Sequence, residues 1–344
     1  MEIEIFNNLK SFVAKYIEEI QQSALSLAEL DALCSLGEAA AIYNYVKPNI
    51  SKDIKAIKIV KGRHPVVEQA VGEENFVPND LELNSEDQRI IILTGPNMSG
   101  KSTYLRQNAL ICIMAQMGSL VPAESAELPI VDKIFTRIGA SDDIATGQST
   151  FLVEMNEVSN IINNATSQSL VLLDEVGRGT STYDGLSLAW AIVEYIANKN
   201  KSKTLFATHY HELTALENYL PGVKNFNVTA QEKDDGIVFL HKVVPGGTDK
   251  SYGIQVARLA GLPQEIIRRA EEILMQLEEK SFNTNALEIS EKKKDLDIKE
   301  DRWKDVKKLL EEIEKLDLLN ITPLQAISTL DELQKKVRSL KVLG

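Results

Sequence analysis

The chain of 344 residues carries only two cysteines, Cys34 and Cys112. Two thiols cannot build a disulfide framework, and neither has a second metal-ligating residue at a usual spacing, so disulfide-stapled and zinc-ribbon classes are excluded. Both lie in apolar, helix-like sequence and read as buried thiols in a reducing compartment. Long apolar runs are missing as well. The longest candidate, Ala109 to Val121, is interrupted by Gln116, Gly118 and Ser119, and falls short of the roughly 18 residues that a bilayer span requires. No basic segment followed by a cleavable apolar stretch opens the chain, which argues against secretion and for a cytoplasmic protein without a membrane partner. Positive charge is also in deficit: 38 basic against 50 acidic side chains give a net charge of −12. A surface of that sign does not hold nucleic acid by charge alone. DNA contact would need a local basic patch or parts outside this chain.

What is present, 44% hydrophobic and 26% charged residues, is ordinary for a soluble globular protein. At roughly 100–200 residues per domain, the length suits one large domain or a few smaller units. Residues 3–44 read as helix, with Ile5, Leu9, Val13, Tyr16, Ile17, Ile20 and Ala24 recurring at three- and four-residue steps. Pro48 to Asp53 breaks this pattern. From Lys55 to Val244, apolar strand-like runs (Arg89–Thr94, Leu170–Asp174, Thr204–Thr208) alternate with helical patterns (Ser102–Met117, Phe151–Ala165, Gly185–Asn198). The alternation predicts an α/β fold, a doubly wound and mainly parallel sheet with its ligand at the carboxyl ends of the strands. Beyond Gly246-Gly247, Pro263 opens an amphipathic helix, Ser281–Asp301 reads as a polar tether, and helices follow around Trp303–Leu316 and Pro323–Leu340. The expected divisions are 1–48, 49–250, 251–281 and 282–344.

Gly95-Pro96-Asn97-Met98-Ser99-Gly100-Lys101-Ser102 fits G-x-x-x-x-G-K-[ST] between a strand and a helix. Glycines let such a loop curl so that backbone N–H groups and the helix N-terminus face one phosphate cluster. Lys101 would set a cation against the β- and γ-phosphates, and Ser102 could ligate Mg²⁺. Asp174-Glu175 emerges from a buried strand: Asp174 suits coordination of Mg²⁺, and Glu175 suits orienting or deprotonating a water. Thr208-His209 ends another buried strand, where His209 could reach a γ-phosphate or the lytic water. His211 is the competing residue. Taken by themselves, an acidic pair and a histidine at strand ends are as well explained by capping or packing.

Six segments in register resemble the carboxyl-terminal part of the MutS family of DNA mismatch-repair ATPases, whose nucleotide domain is of the ABC type. They are Gly62-Arg63-His64-Pro65, Thr94 through Thr103, Phe135-Thr136-Arg137-Ile138-Gly139-Ala140, Ser149-Thr150-Phe151-Leu152-Val153-Glu154-Met155, Leu173 through Thr180, and Ala207-Thr208-His209-Tyr210. The resemblance implies a P-loop ATPase of the ABC type using ATP/ADP and Mg²⁺, with Thr103 part of the phosphate loop. It places Ser149 in the position of the signature motif, facing the nucleotide of an opposite subunit, where an ordinary N-cap is the competing reading. Asn97 could donate to the γ-phosphate. Phe76 and His241 match positions that hold the adenine; composition alone makes them a strand-start aromatic and a surface histidine. Arg178 would couple nucleotide state to the dimer interface.

The resemblance further implies a homodimer with composite ATP sites, paired through Ser251–Pro263, and further assembly through Asn320–Ala326. Mismatched double-stranded DNA and a MutL-type repair partner would be bound by the full-length protein. No mismatch-reading Phe-x-Glu occurs, so the chain is expected to be a piece of a longer protein, with residues 1–45 resembling a lever helix. Two other readings compete. One is another ABC-type ATPase, such as a transporter subunit, an SMC-type protein or the anti-recombination paralogue. Against the first two, Thr146-Gly147-Gln148-Ser149-Thr150-Phe151 stands where Leu-Ser-Gly-Gly-Gln is expected. The other is a nucleotide-binding scaffold silent in isolation.

Overall fold

Runs of Ile, Leu and Val with no polar interruption are satisfied only where both faces of a strand are covered. The computed structural model, which describes residues 1–139, 149–233, 236–247, 252–276 and 328–335, completely buries the two such runs at 90–93 and 170–173, and with them the strand Lys203–Ala207, which opens on Lys-Thr. Two helices come first, α1 (Glu2–Ala14) and α2 (Ile17–Ile42), then β1 (Asn49–Ile50), β2 (Ile57–Gly62), α3 (Pro65–Val71), β3 (Asn79–Leu83) and β4 (Ile90–Thr94). Next are α4 (Lys101–Gln116), β5 (Ser125–Leu128), β6 (Ile134–Arg137), α5 (Thr150–Asn164), β7 (Leu170–Asp174) and α6 (Thr182–Tyr195). Strands β8 (Lys203–Ala207), β9 (Val223–Lys233) and β10 (Gly236–Pro245) and helix α7 (Gly253–Leu259) follow.

The larger sheet has six strands in the order β10-β9-β4-β8-β7-β6. All neighbours in it pair parallel except β10, which returns antiparallel to β9. Successive residues of β4 serve different cores. Ile91 and Leu93 pack with Leu105, Ile111, Leu172 and Leu205, whereas Ile90 and Ile92 pack with Val171, Leu173, Val193 and Phe206. Truncating a fully buried side chain such as Phe206 to alanine would cost about 3–5 kcal/mol. This stiff layer fixes the carboxyl ends of β4, β7 and β8 beside one another.

One mainly parallel sheet was the expectation, and it is incomplete. A second, four-stranded mixed sheet, β1-β5-β2-β3, covers the first core. Its strands β2, β3 and β5 alternate buried and less buried residues, as in the pattern of β3 (Asn79–Leu83), so they carry half the apolar signal of a central strand. The expected helix over 3–44 is interrupted at Lys15-Tyr16, between α1 and α2. The periodic apolar residues of these helices are exposed, and Ala40 alone is buried. That corrects one reading: Cys34, expected to be buried, is exposed on α2. Cys112 is buried on α4, and burial pushes its thiol up to about 12.

The chain divides into two compact units, 1–260 and 261–344. In the second, residues 264–276 and 328–335 are helical. The expected tether Ser281–Asp301 and helix Trp303–Leu316 lie outside the described residues, as do Ala140 and Thr146 to Gln148. Among the described residues no helix is long and apolar enough to cross a membrane.

Candidate nucleotide site

The loop between β4 and α4 coils because its backbone adopts left-handed conformations at Gly95 (φ 141°), Met98 (φ 65°) and Gly100 (φ 102°). Glycine suits the first and last of these; a Cβ on Gly95 would also come within 3.3 Å of the Val228 carbonyl. Gly100 is the N-cap of α4 and supplies no side chain to cap it. The first N–H groups of a 16-residue helix are therefore free of side-chain acceptors and carry the positive end of its dipole. Lys101 is buried, and its Nζ donates to the carbonyls of Gly95 (2.8 Å) and Pro96 (3.0 Å). Burial lowers its pKa, while Glu175 and Asp174 nearby pull it back up.

Asp174 ends β7 and Ala207, its parallel partner, ends β8. One carboxyl oxygen of Asp174 is buried with no hydrogen-bond partner. Burial raises its pKa, with the Ser102 hydroxyl beside it acting in the opposite direction. Ser102, Asp174, Glu175, Arg178 and Arg137 line a cavity of about 360 Å³. An orphaned carboxylate oxygen beside a hydroxyl is a hard-oxygen pair that fits Mg²⁺, which takes few protein ligands and keeps its others as water or phosphate. No group of three or more His, Cys, Asp or Glu able to hold a metal occurs among the described residues.

Glu175 takes φ 55°, a conformation that strains a residue with a side chain, and its N–H donates to Ala207 O at 2.9 Å. The turn aims the carboxylate at β8. Oε1 meets His209 Nε2 at 2.5 Å, and Oε2 pairs with the Arg178 guanidinium. The His209 hydrogen bond is the largest influence in holding the carboxyl down at about 2, and Arg178 adds to it. His211, the competing residue, opens a 3₁₀ turn instead and leaves its Nδ1 buried and unbonded.

The turn beyond Glu175 is clamped from three sides. Gly177 N–H donates to Glu154 Oε1 (2.6 Å), its carbonyl accepts from Tyr210 Oη (3.0 Å), and its Cα packs against Gly185, where a Cβ would sit 2.6 Å from backbone. Glu154 is buried on α5 and also pairs with Arg137 at 3.4 Å. Sequence reasoning assigned Glu154 no role, although a signal existed: it shares a buried stripe with Val158 and Ile161, at i, i+4 and i+7. Ser149 is the N-cap of the same helix, yet its hydroxyl makes no capping hydrogen bond. It lines neither cavity of this chain's own site.

Phe76 and His241 come together from distant sequence. With Met98, Ser99, Gly100 and Thr103 they line a cavity of about 250 Å³. His241 sits in the bulge of the β9–β10 hairpin with φ 53°, and its Nδ1–H donates to the Ser99 carbonyl at 2.8 Å. Asn79, which sequence reasoning passed over, bridges this bulge: its Nδ2 donates to His241 O and its Oδ1 accepts from Val243 N, both at 2.8 Å. Asn97 and Met98 are exposed on the loop. One apolar cavity thus adjoins the phosphate loop on one side, and a carboxylate-lined cavity adjoins it on the other.

Residues 91–278 match the family MutS domain V. A DNA mismatch repair protein MutS from Caldicellulosiruptor bescii is 54% identical over 99% of this chain and 40% of its own length. The corresponding protein of Acetivibrio thermocellus is 52% identical over 98% of this chain and 39% of its own. The chain thus spans about 40% of the length of these curated relatives. On the family match and these identities, the chain belongs to the MutS family.

Proposed function

We infer that this chain is the ATP-binding and ATP-hydrolysing dimerisation module of a MutS-type DNA mismatch repair protein. One observation carries the reading. The glycine-rich turn with Lys101 lies at the same sheet edge as Asp174, Glu175 and His209, between a cavity that suits a base and one that suits a metal-bound triphosphate. In this reading Phe76 and His241 hold the adenine. The loop N–H groups and Lys101 hold the phosphates, so Lys101 exchanges two loop carbonyls for phosphate oxygens. Ser102 and Asp174 would hold Mg²⁺, which when bound neutralises charge on the β- and γ-phosphates. Glu175 orients the water for in-line attack.

The Ser149 hydroxyl, unused as a cap, would complete the site of a second subunit, with Arg178 at the interface. Relatives named for mismatch repair support coupling of nucleotide state to mismatched DNA bound by parts outside this chain, and to a MutL-type partner. The nucleotide domain is proposed to be of the doubly wound ABC type at 49–250, with a lever remnant at 1–48, a pairing segment at 251–281 and assembly helices in 282–344, in a cytoplasmic protein. The deciding measurement is ATPase rate against protein concentration. Second-order dependence is expected, whereas first-order turnover would remove the composite site.

A second reading, a nucleotide-binding scaffold silent in isolation, has one observation in its favour. Both Glu175 carboxylate oxygens are taken, by His209 and Arg178. A carboxyl held down at about 2 by His209 and Arg178 is a poor proton acceptor, which favours a site that binds nucleotide without turning it over. Nucleotide binding without turnover at any protein concentration would favour it.

A further inference from the structure

The opposite end of the same strands carries a second polar cavity, of about 360 Å³, lined in part by Lys52, Lys55, Ser85, Ser167, Gln168 and Lys203. Lys203 is the first residue of β8, and Ala207 at the strand's other end adjoins the carboxylate site. Four residue steps of ~3.3 Å separate those ends by about 13 Å along the strand. This cavity is therefore distinct from the two that flank the phosphate loop.

Lys203 is only 6% exposed. Its backbone N–H bonds Ser169 O, but its ammonium has no hydrogen bond or ion pair among the described residues. Burial lowers its pKa, and the charges of Lys55 and Arg89 push the same way. Those neighbours do not relieve it. Lys55 Nζ donates to the Lys52 carbonyl at 3.2 Å, and Arg89 donates to the carbonyls of Ser85 and Ala197. No acidic side chain lines the cavity. A buried ammonium ordinarily has a counter-charge, because desolvation penalises it otherwise. Here cations converge on a recess whose remaining polar walls are hydroxyls and an amide, all able to donate.

We propose that this recess at the amino-terminal ends of the strands is a phosphate-binding site, with Lys203 as its buried cation and Lys52 and Lys55 at its mouth. A tetrahedral oxyanion of more than one charge matches several ammonium groups and hydroxyl donors better than a single carboxylate does. The phosphate could be free orthophosphate or a phosphodiester of a nucleic acid strand. The chemistry is shared, and the test separates the two.

Orthophosphate is titrated by calorimetry into the full chain and into its Lys203→Met, Lys203→Arg and Lys101→Met variants. A short single-stranded oligonucleotide is titrated in parallel by fluorescence anisotropy. Lys203→Met should lose about tenfold or more in affinity for the bound species, the loss of one charge-assisted hydrogen bond, while Lys203→Arg keeps it. Lys101→Met should retain the site, and Lys203→Met should retain ATPase activity. Loss confined to orthophosphate identifies a small-anion site; loss for the oligonucleotide identifies a backbone contact. Affinities unchanged by Lys203→Met in both titrations overturn the proposal, as does absence of binding in both. So does a lower melting temperature for Lys203→Met in phosphate-free buffer, since that would show the ammonium already balanced within the chain.

Discussion

Glu175 Oε1 lies 2.5 Å from His209 Nε2, each side chain standing just past the end of one of two adjacent parallel strands. The sheet sets that approach: Asp174 is in register with Ala207, and the left-handed turn at Glu175 points its carboxylate across the gap. His209 in this arrangement is hydrogen-bonded to Glu175 and is the largest influence keeping that carboxylate ionised.

The pH consequence has a definite sign. The Glu175 carboxyl, held at about 2 against an ordinary 4.5, contributes stability that is present above pH 4.5 and lost as pH falls towards 2. Replacing His209 with alanine removes the largest influence holding it down. The acid limb of the ATPase pH profile should therefore move to higher pH in His209→Ala. An acid limb that stays in place would show that Glu175 does not govern it.

Glu175→Gln keeps the side-chain shape and removes the charge. ATP binding should persist while kcat falls by about 10²–10⁴, the range for loss of a general base. Filter binding and steady-state turnover test both halves, and an unaltered kcat takes Glu175 out of the reaction.

Lys101→Met should weaken nucleotide binding by about tenfold to a hundredfold, the worth of a charge-assisted phosphate contact. The substitution also abandons two buried hydrogen bonds to loop carbonyls, so the melting temperature is measured alongside. Full nucleotide occupancy with full turnover would contradict the assignment of the phosphate loop.

Legibility in the sequence followed the range of the interaction. The three central strands could be read because runs of three or four consecutive apolar residues mean burial on both faces, and the phosphate loop because its residues are contiguous. The four-stranded sheet and the β9–β10 hairpin could not: their strands are half-buried, and the pairings of the four-stranded sheet and of β9 with β4 join residues far apart along the chain. For α1 and α2, the periodicity of Leu9, Val13 and Ile20 is a statement about amphipathicity and not about what covers the apolar face. The joining of His209 to Glu175 and of Phe76 to His241 is long-range. Each residue could be singled out by its place at a strand end or by resemblance, but the Glu175–His209 contact comes from the adjacency of β7 and β8, and Phe76 and His241 meet in one cavity from beside two different sheets.

Glu154 tests whether the clamp on Gly177 matters to catalysis. Glu154→Ala breaks a buried ion pair with Arg137 and orphans the Gly177 N–H, so a loss of about 3–5 kcal/mol of stability is expected. Glu154→Gln retains an acceptor for that N–H. It should restore much of the stability and preserve KM, while kcat stays below wild type if the charge positions the turn carrying Glu175 and Arg178. Wild-type kcat in Glu154→Gln would limit this residue to packing.

The last expectation concerns Ser149, whose hydroxyl caps nothing in its own helix and lines no cavity of its own site. An N-terminal hydroxyl with free helix N–H groups beside it is suited to a phosphate arriving from outside the chain. Ser149→Ala should leave first-nucleotide binding near wild type and lower turnover by about tenfold or more, as removal of one transition-state donor does. Mixing Ser149→Ala with Lys101→Met separates the two possible geometries. If the serine serves its partner's nucleotide, the mixed dimer joins the intact serine of the Lys101→Met subunit to the intact loop of the Ser149→Ala subunit. One working site is then rebuilt, and activity recovers on mixing. A mixture that stays as inactive as its two components would mean that Ser149 acts within its own subunit, and the composite site would have to be given up.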